Sequence, residues 1–327
     1  LVLNCLLLAV GGCAGPMVMR LYFIHGGSLV WFSSWQETGG WPVIFVPLVI
    51  SYLRRLTAEA NAAPVLINLR LFLAAAVIGV LTGVDNYIYA FGLEKLPVST
   101  SSLVIATQLA FTALFGFLIV KLRFTAYSIN AVVLLTVGAA VLAISASGDR
   151  PAGESRGAYW LGFFLTLGAA ALYGFVLPLV ELAYRKANLE MTYTLVMEVQ
   201  LVMCFFATAF CTVGMFFNKE FQKIRREERE YKLGSATYYV VVVLSCLAWQ
   251  GFFLGAIGVI HYSSSLVSGI IIAITIPVNE LLGVIFYGEK FGSQKGVSLG
   301  LSLWGFLSYF YGEYKSRKKA NNDGEET

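Results

Sequence analysis

A chain of 327 residues that is 58% apolar, 14% aromatic and only 13% charged is no ordinary soluble protein, which carries about 25% charge. Its formal net charge of +4 and mean hydropathy of +0.74 exclude a disordered chain, a nucleic-acid binder and a typical soluble enzyme. They make lipid its main solvent.

A helix needs about 20 mostly apolar residues to cross the hydrocarbon core. Apolar runs between polar breaks predict ten spans, at 1–22, 30–53, 69–93, 97–120, 125–146, 157–184, 190–217, 237–260, 264–287 and 293–313. Runs such as AAAVIGVLTG (74–83) do not alternate as barrel strands do, so helices are expected. The polar stretch from Tyr314 reads as a disordered tail, 314–327. Leu1 is not a start methionine, so the natural start is expected upstream and no targeting segment is read here. The cysteines Cys5, Cys13, Cys204, Cys211 and Cys246 lie in apolar stretches without a C-x-x-C pair and read as free buried thiols.

Lys and Arg near span ends set orientation. With the N-terminus inside, the inner loops and tail hold eleven and the outer loops six. The run NKEFQKIRREEREYK (218–232) adds six more outside, so the count alone decides nothing. The inner residues form five separate clusters, whereas the outer run is laced with four glutamates and reads as a surface helix. Both termini are therefore expected on the cytoplasmic side.

Two pairs of segments align at nearly the same offset. AFGLEKLPVSTSSL (90–103) faces GAIGVIHYSSSLVS (255–268), with Gly92 on Gly258, an offset of 166. LRFTA (122–126) faces EKFGS (289–293), with Phe124 on Phe291, an offset of 167. The repeat is five spans long, and an odd number inverts the second copy. The expected units are 1–148 and 149–313, two inverted five-helix repeats such as secondary transporters use around a midplane site.

Four acids fall within spans: Glu37, Asp85, Glu198 and Glu280. No Lys or Arg sits deep in one. Phosphates or organic acids call for arginine or lysine. An unpaired carboxylate in a low-dielectric interior needs a proton, a cation or N–H donors. The expected ligand is therefore neutral or cationic and rich in N–H groups. The amides Gln36, Asn86, Gln108, Gln200, Gln250 and Asn279 accompany the acids, and the aromatics Trp31, Trp35, Tyr87, Tyr89, Tyr173 and Trp249 lie near them or in pore-side spans. This is the equipment for a flat nitrogen heterocycle, which stacks on aromatic faces. The predicted binding residues are Glu37, Trp35, Asn86, Tyr89, Gln108, Gln36, Glu198 and Trp249, with Glu37 and Glu198, related by the repeat, as candidate proton carriers. Each has a structural alternative: Asp85, Asn86 and Gln108 as interhelical glue, Trp31 and Trp35 as an interfacial belt, Glu280 as a partner for backbone freed by Pro277. Gly11, Gly12 and Gly15 before Pro16 read as a close helix contact, and Pro16 and Pro178 as matching bends. No catalytic motif, metal-ligand spacing or cofactor signature is present in the sequence.

CAGPMVMRLYFIHGGSLVWFSSWQETGGWPVIFVPL (13–48), DNYIYAFGLEKLPVSTSSLVIATQLAFTALF (85–115), YGFVLPLVEL (173–182) and ITIPVNELLGVIFYGEKF (274–291) resemble the plant purine permease family over nearly the whole chain. The resemblance implies an all-α integral membrane protein of the drug/metabolite transporter fold, with ten helices in two inverted five-helix repeats. It implies transport of adenine-like purines, cytokinins and related heterocyclic bases, often proton-driven, by a multi-pass protein expected in the plasma membrane. It supports Glu37 in QETGG, Asn86 in DNYIY and Gln108 in ATQLAF as pocket residues, while Thr112 stands where many members are expected to carry Asn. The competing readings are another carrier of this fold for cationic or neutral small molecules, and a membrane receptor that binds without transporting.

Overall fold

The computed structural model describes residues 1–58, 63–95, 105, 107–122, 124–144, 156–187, 189–190, 192–287 and 293–325. Among the described residues there is no strand. The helices are α1 (Val2–Ile24), α2 (Val30–Gly39), α3 (Phe45–Ala58), α4 (Leu69–Lys95), α5 (Gln108–Val120), α6 (Ala126–Ile144), α7 (Arg156–Lys186), α8 (Tyr193–Phe217), α9 (Glu220–Glu230), α10 (Ser235–Tyr262), α11 (Ser265–Tyr287) and α12 (Ser293–Glu325).

Among the described residues, six stretches are long and apolar enough to cross a membrane: Val2–Ile24, Leu69–Phe91, Trp160–Lys186, Tyr193–Phe217, Ser235–Tyr262 and Ser265–Tyr287. Gln108–Val120 and Ala126–Gly138 are shorter apolar helices. The expected span 30–53 is not one helix. It breaks at Gly40 into α2, a 3-10 turn over Trp41–Ile44 and α3, with Pro42 in the turn. Proline lacks the N–H that would continue the α-helical ladder, and the Gly39-Gly40 pair weakens the helix before it. The ten residues of α2 cover about 15 Å, half the hydrocarbon core. At the other end of the chain, α12 runs on to Glu325. The tail expected to be disordered is helical over those residues, where Lys, Arg and Glu are good helix formers.

Helix contacts are tightest where glycines let backbones touch. A Cβ on Gly11 would lie 2.3 Å from the Phe252 nitrogen, and one on Gly255 2.3 Å from the Leu8 nitrogen. α1 and α10 therefore cross backbone to backbone, as the glycine run before Pro16 predicts. Gly79 of α4 lies as close to the Met203 carbonyl of α8, at 2.3 Å. All three neighbours are backbone atoms, which cannot turn away as a side chain can. Gly255→Ala is expected to cost about 2 kcal/mol, the scale of core overpacking, read as a lower unfolding midpoint in detergent. An unchanged midpoint would show that the two helices are free to separate.

The charged run 218–232 forms α9, whose acids point two ways. Glu228 and Glu230 stay at the surface, the latter paired with Arg226 at 2.9 Å. Glu220 and Glu227, two turns apart on one face, are each 6% exposed. Glu220 accepts the Phe32 and Trp31 amides at 2.8 and 3.3 Å and so caps the start of α2. Burial pushes its carboxyl above the usual carboxylate range, while those amides and Lys223 pull it back. Glu227 accepts from Ser28 N at 2.8 Å, Ser28 Oγ at 3.1 Å, Tyr238 OH at 3.0 Å and, most closely, Tyr22 OH. α9 thereby fixes the α1–α2 connection over a small core of Met19, Tyr22, Leu29, Phe32, Met215, Tyr231, Tyr238 and Val241.

Two further carboxylates fasten helix starts elsewhere. Glu181 of α7 accepts Ser265 N at 2.7 Å and Ser265 Oγ at 2.6 Å at the head of α11, and pairs with Arg185 at 2.6 Å. Arg185 in turn donates to the Val120 carbonyl at 2.8 Å, closing the end of α5. Glu198 of α8 accepts the Leu66 amide at 2.9 Å and the Ile67 amide at 2.7 Å just ahead of α4.

Candidate functional site

The interior acids gather where α2 ends. Glu37 stands two residues before the Gly39-Gly40 break and is 6% exposed. Discontinuous helices are where membrane carriers place polar groups, because the freed backbone and the short helix end both need partners. Across from it, α4 contributes Asp85, Asn86 and Tyr89. Asp85 and Tyr89 are four residues apart and share a helical face. In the orientation that satisfies its hydrogen bonds, the Asn86 amide nitrogen donates to the Thr82 carbonyl at 3.0 Å and to Glu37 Oε2 at 3.3 Å. Ser34 Oγ lies 3.4 Å from the Asn86 carbonyl and stitches α2 to α4 at the same level.

Asp85 is near enough to Glu37 for the two charges to act on each other. Tyr89, and Tyr173 from α7, lie within electrostatic reach of both carboxyls. Asp85 is 7% exposed, and its Oδ1 has no hydrogen-bond partner among the described residues. Among the described residues neither acid is in an ion pair. Tyr89 and Tyr173 are each partly buried, whereas the two acids are buried. The arrangement offers two carboxyls, one amide and two phenols on three helices, with a ring face to one side. Tyr173 stacks on Phe252 of α10, centroids 6.2 Å apart and planes at 24°.

Thr38 ties the end of α2 to its surroundings. Its carbonyl accepts from Gln250 Nε2 at 3.0 Å, and its hydroxyl accepts from Thr208 at 3.0 Å. Gln250 Oε1 accepts from Gln200 Nε2 at 3.4 Å, which also meets Cys204 Sγ at 3.1 Å. A Cβ on Gly40 would lie 2.6 Å from the Cys246 carbonyl, so the break itself lies flat on α10.

Of the predicted binding residues, Glu37, Asn86 and Tyr89 come together. Gln36 is fully buried beside them in sequence, on α2, and neither of its amide atoms has a partner among the described residues. Gln108 is buried at the start of α5, its backbone carbonyl against Gly174 of α7. Trp249 is 9% exposed on α10 and meets Phe252 edge to face at 5.3 Å.

Trp35 and Glu198 are not brought to the cluster. Trp35 points nearly the opposite way from Glu37, since two residues turn a helix by about 200°. Its indole N–H donates to Thr212 at 3.1 Å and its ring stacks on Phe32. Trp31 likewise stacks on Tyr87, centroids 3.7 Å apart. Glu198 is spent on the amides ahead of α4, and Asp85 lies about 24 Å further along that helix from its start. The Glu280 side chain lies outside what the structure describes. Asp85 and Tyr173 also belong to the cluster, beyond the predicted binding residues. For Asp85 the available signal was its position four residues before Tyr89 and next to Asn86. Among the described residues no three His, Cys, Asp or Glu side chains gather to hold a metal.

A family model described as purine nucleobase transmembrane transport matches residues 1–319. Purine permease 3 of Arabidopsis thaliana is 53% identical over 333 aligned residues, spanning 100% of this chain and 95% of its own. Purine permease 2 of the same plant is 50% identical, spanning 97% and 93%. A solved structure described only as a crystal structure of protein superposes with a TM-score of 0.62 at 15% identity, over 92% of this chain and 95% of that one, a likeness of fold alone.

Proposed function

This chain belongs to the purine nucleobase transport family and is a transporter rather than an enzyme, and on that premise we propose that it carries adenine-like bases, cytokinins among them, past the Glu37 cluster by alternating access. The observation that carries the reading is Glu37 bonded to Asn86 and within electrostatic reach of Asp85, with no ion pair to either acid among the described residues. Two carboxyls side by side in a low-dielectric site do not both stay ionised cheaply. Substrate N–H groups or a proton relieve them. Adenine and its N6-substituted relatives present N–H donors along one edge and a flat face. Tyr173 and the aromatic row behind it suit that face. The coupling proton of this reading rides on the Glu37–Asp85 pair rather than on Glu198, which three amide contacts already hold.

The reading includes ten membrane segments in two inverted repeats, 1–148 and 149–313. Helix pairing supports it. α1 lies on α10 and α11 as α7 lies on α4 and α5; α2 meets α10 as α8 meets α4; α2 pairs with α8, and α6 with α12. That is the set of contacts a two-fold exchange of halves maps onto itself. Pro16 in α1 and Pro178 in α7 mark the same place in each half. With the five basic clusters inside, both termini face the cytoplasm of a plasma-membrane protein.

Uptake of labelled adenine into proteoliposomes holding the purified protein, with and without an inward proton gradient, tests this. Saturable uptake that excess trans-zeatin suppresses and the gradient raises is expected. Absence of adenine uptake rejects the substrate. Uptake indifferent to purines but blocked by organic cations favours another carrier activity, and saturable binding without flux favours a receptor.

A further inference from the structure

The Pro16 bend carries unused hydrogen-bonding capacity next to the cluster. In a regular helix the carbonyl of residue 12 bonds to the N–H of residue 16, and proline has none. The Gly12 carbonyl is met instead from α11, by Asn279 Nδ2 at 2.9 Å. That bond uses one of the two N–H donors of the Asn279 amide. Its Oδ1 is buried with no partner among the described residues. From α10, the Trp249 indole lies across Gly15, with Nε1 3.3 Å from where a Cβ on that glycine would sit. Trp249 is 9% exposed, and its Nε1–H also lacks a partner among the described residues. A helical carbonyl points along the axis toward the residue four ahead, so the Asn279 amide reaches the same turn of α1 that Trp249 covers. One turn thus presents an unmatched donor, which cannot accept, and an unmatched acceptor.

Buried polar atoms in native folds are nearly always paired, and groups left unpaired commonly await a ligand or water. Trp249 is joined to the Glu37 cluster by ring contacts. Tyr173, in reach of both carboxyls, stacks on Phe252, and Phe252 meets Trp249. We infer that Trp249 Nε1–H and Asn279 Oδ1 form a second recognition edge, which donates to a ring-nitrogen lone pair and accepts from an N–H of the same heterocyclic base. The inference rests on the transport reading above and deepens it. A base gripped by acids at one side is read at the other by a donor–acceptor pair, and the bare Gly12 and Gly15 let Thr275 and the Trp249 indole lie against that turn.

The test compares uptake of adenine and of 1-, 3- and 7-deazaadenine by wild type, Trp249→Phe and Asn279→Ala. Trp249→Phe keeps an aromatic ring but removes the donor together with part of the indole, so its unfolding midpoint in detergent is measured alongside to show that the fold is retained. It is expected to raise the half-saturating adenine concentration about tenfold, the scale of one neutral hydrogen bond. One deaza analogue, lacking the nitrogen that the indole meets, is expected to be weak in wild type by the same factor and to lose nothing more in Trp249→Phe. Asn279→Ala is expected to weaken adenine but not 6-methylpurine, which lacks the amino N–H, if that group is the one Oδ1 accepts; otherwise 9-methyladenine is the insensitive compound. An unchanged half-saturation in Trp249→Phe, or equal losses for adenine and every deaza analogue, overturns the assignment. Wild type that takes up no adenine at all removes the transport reading itself, whereas wild-type uptake with an indifferent Trp249→Phe removes only this edge.

Discussion

Glu37→Gln is expected to cut adenine uptake about 100-fold, since a hydrogen bond to a charged group is worth about 1.5–3 kcal/mol and the neutral amide also holds no proton. The fold should survive. The Gln side chain has the same shape, and its carbonyl oxygen can still accept the Asn86 N–H that now lies 3.3 Å from Glu37 Oε2. Thermal unfolding in detergent should therefore match wild type while transport collapses. That separation distinguishes a binding role from a structural one. Uptake equal to wild type would remove Glu37 from the site. Asp85→Asn should also impair uptake, because it leaves Glu37 without the neighbouring acid with which it shares the space.

Glu227→Ala is expected to give the largest loss of stability, about 3–5 kcal/mol, with correspondingly little folded protein recovered. Its carboxylate serves Tyr22, Ser28 and Tyr238 at once, and both tyrosines are fully buried. Water cannot replace the lost acceptor without opening the core beneath α9. Glu227→Gln keeps one acceptor oxygen and should fall between. Arg226→Ala on the same helix is the control. The Arg226–Glu230 pair is 81% and 65% exposed, and such pairs contribute about 0.5 kcal/mol or less. Guanidinium or thermal unfolding in detergent measures all three. A Glu227→Ala change as small as that of Arg226→Ala would mean that α9 does not hold the α1–α2 connection.

Which parts of this were legible beforehand depends on how far each residue's role is set by its own segment. α1, α8, α10 and α11 were plain because unbroken apolar runs leave no other solution in lipid. The span 30–53 misled because its composition is apolar throughout, whereas its continuity fails at Gly39, Gly40 and Pro42, where backbone chemistry decides. Glu37 and Glu198 look alike in sequence, each a carboxylate in an apolar run at matching places in the repeat. What separates them is the partner across the helix. Glu198 meets the bare amides of Leu66 and Ile67, and Glu37 meets a side-chain amide and a second acid. No local pattern encodes that. Trp35 turns away from Glu37 for a simpler reason. Near neighbours in sequence lie on different sides of a helix, and counting 100° per residue from Glu37 would have turned it toward α8. The two inward glutamates of α9 were also within reach, because a spacing of seven puts Glu220 and Glu227 on one face.

A structure of the protein with adenine bound tests the central claim most directly. The account predicts the base between α2, α4 and α7, its N–H edge against Glu37 and Asn86 and its ring on Tyr173. Adenine bound anywhere that leaves Glu37 and Asp85 untouched would contradict it.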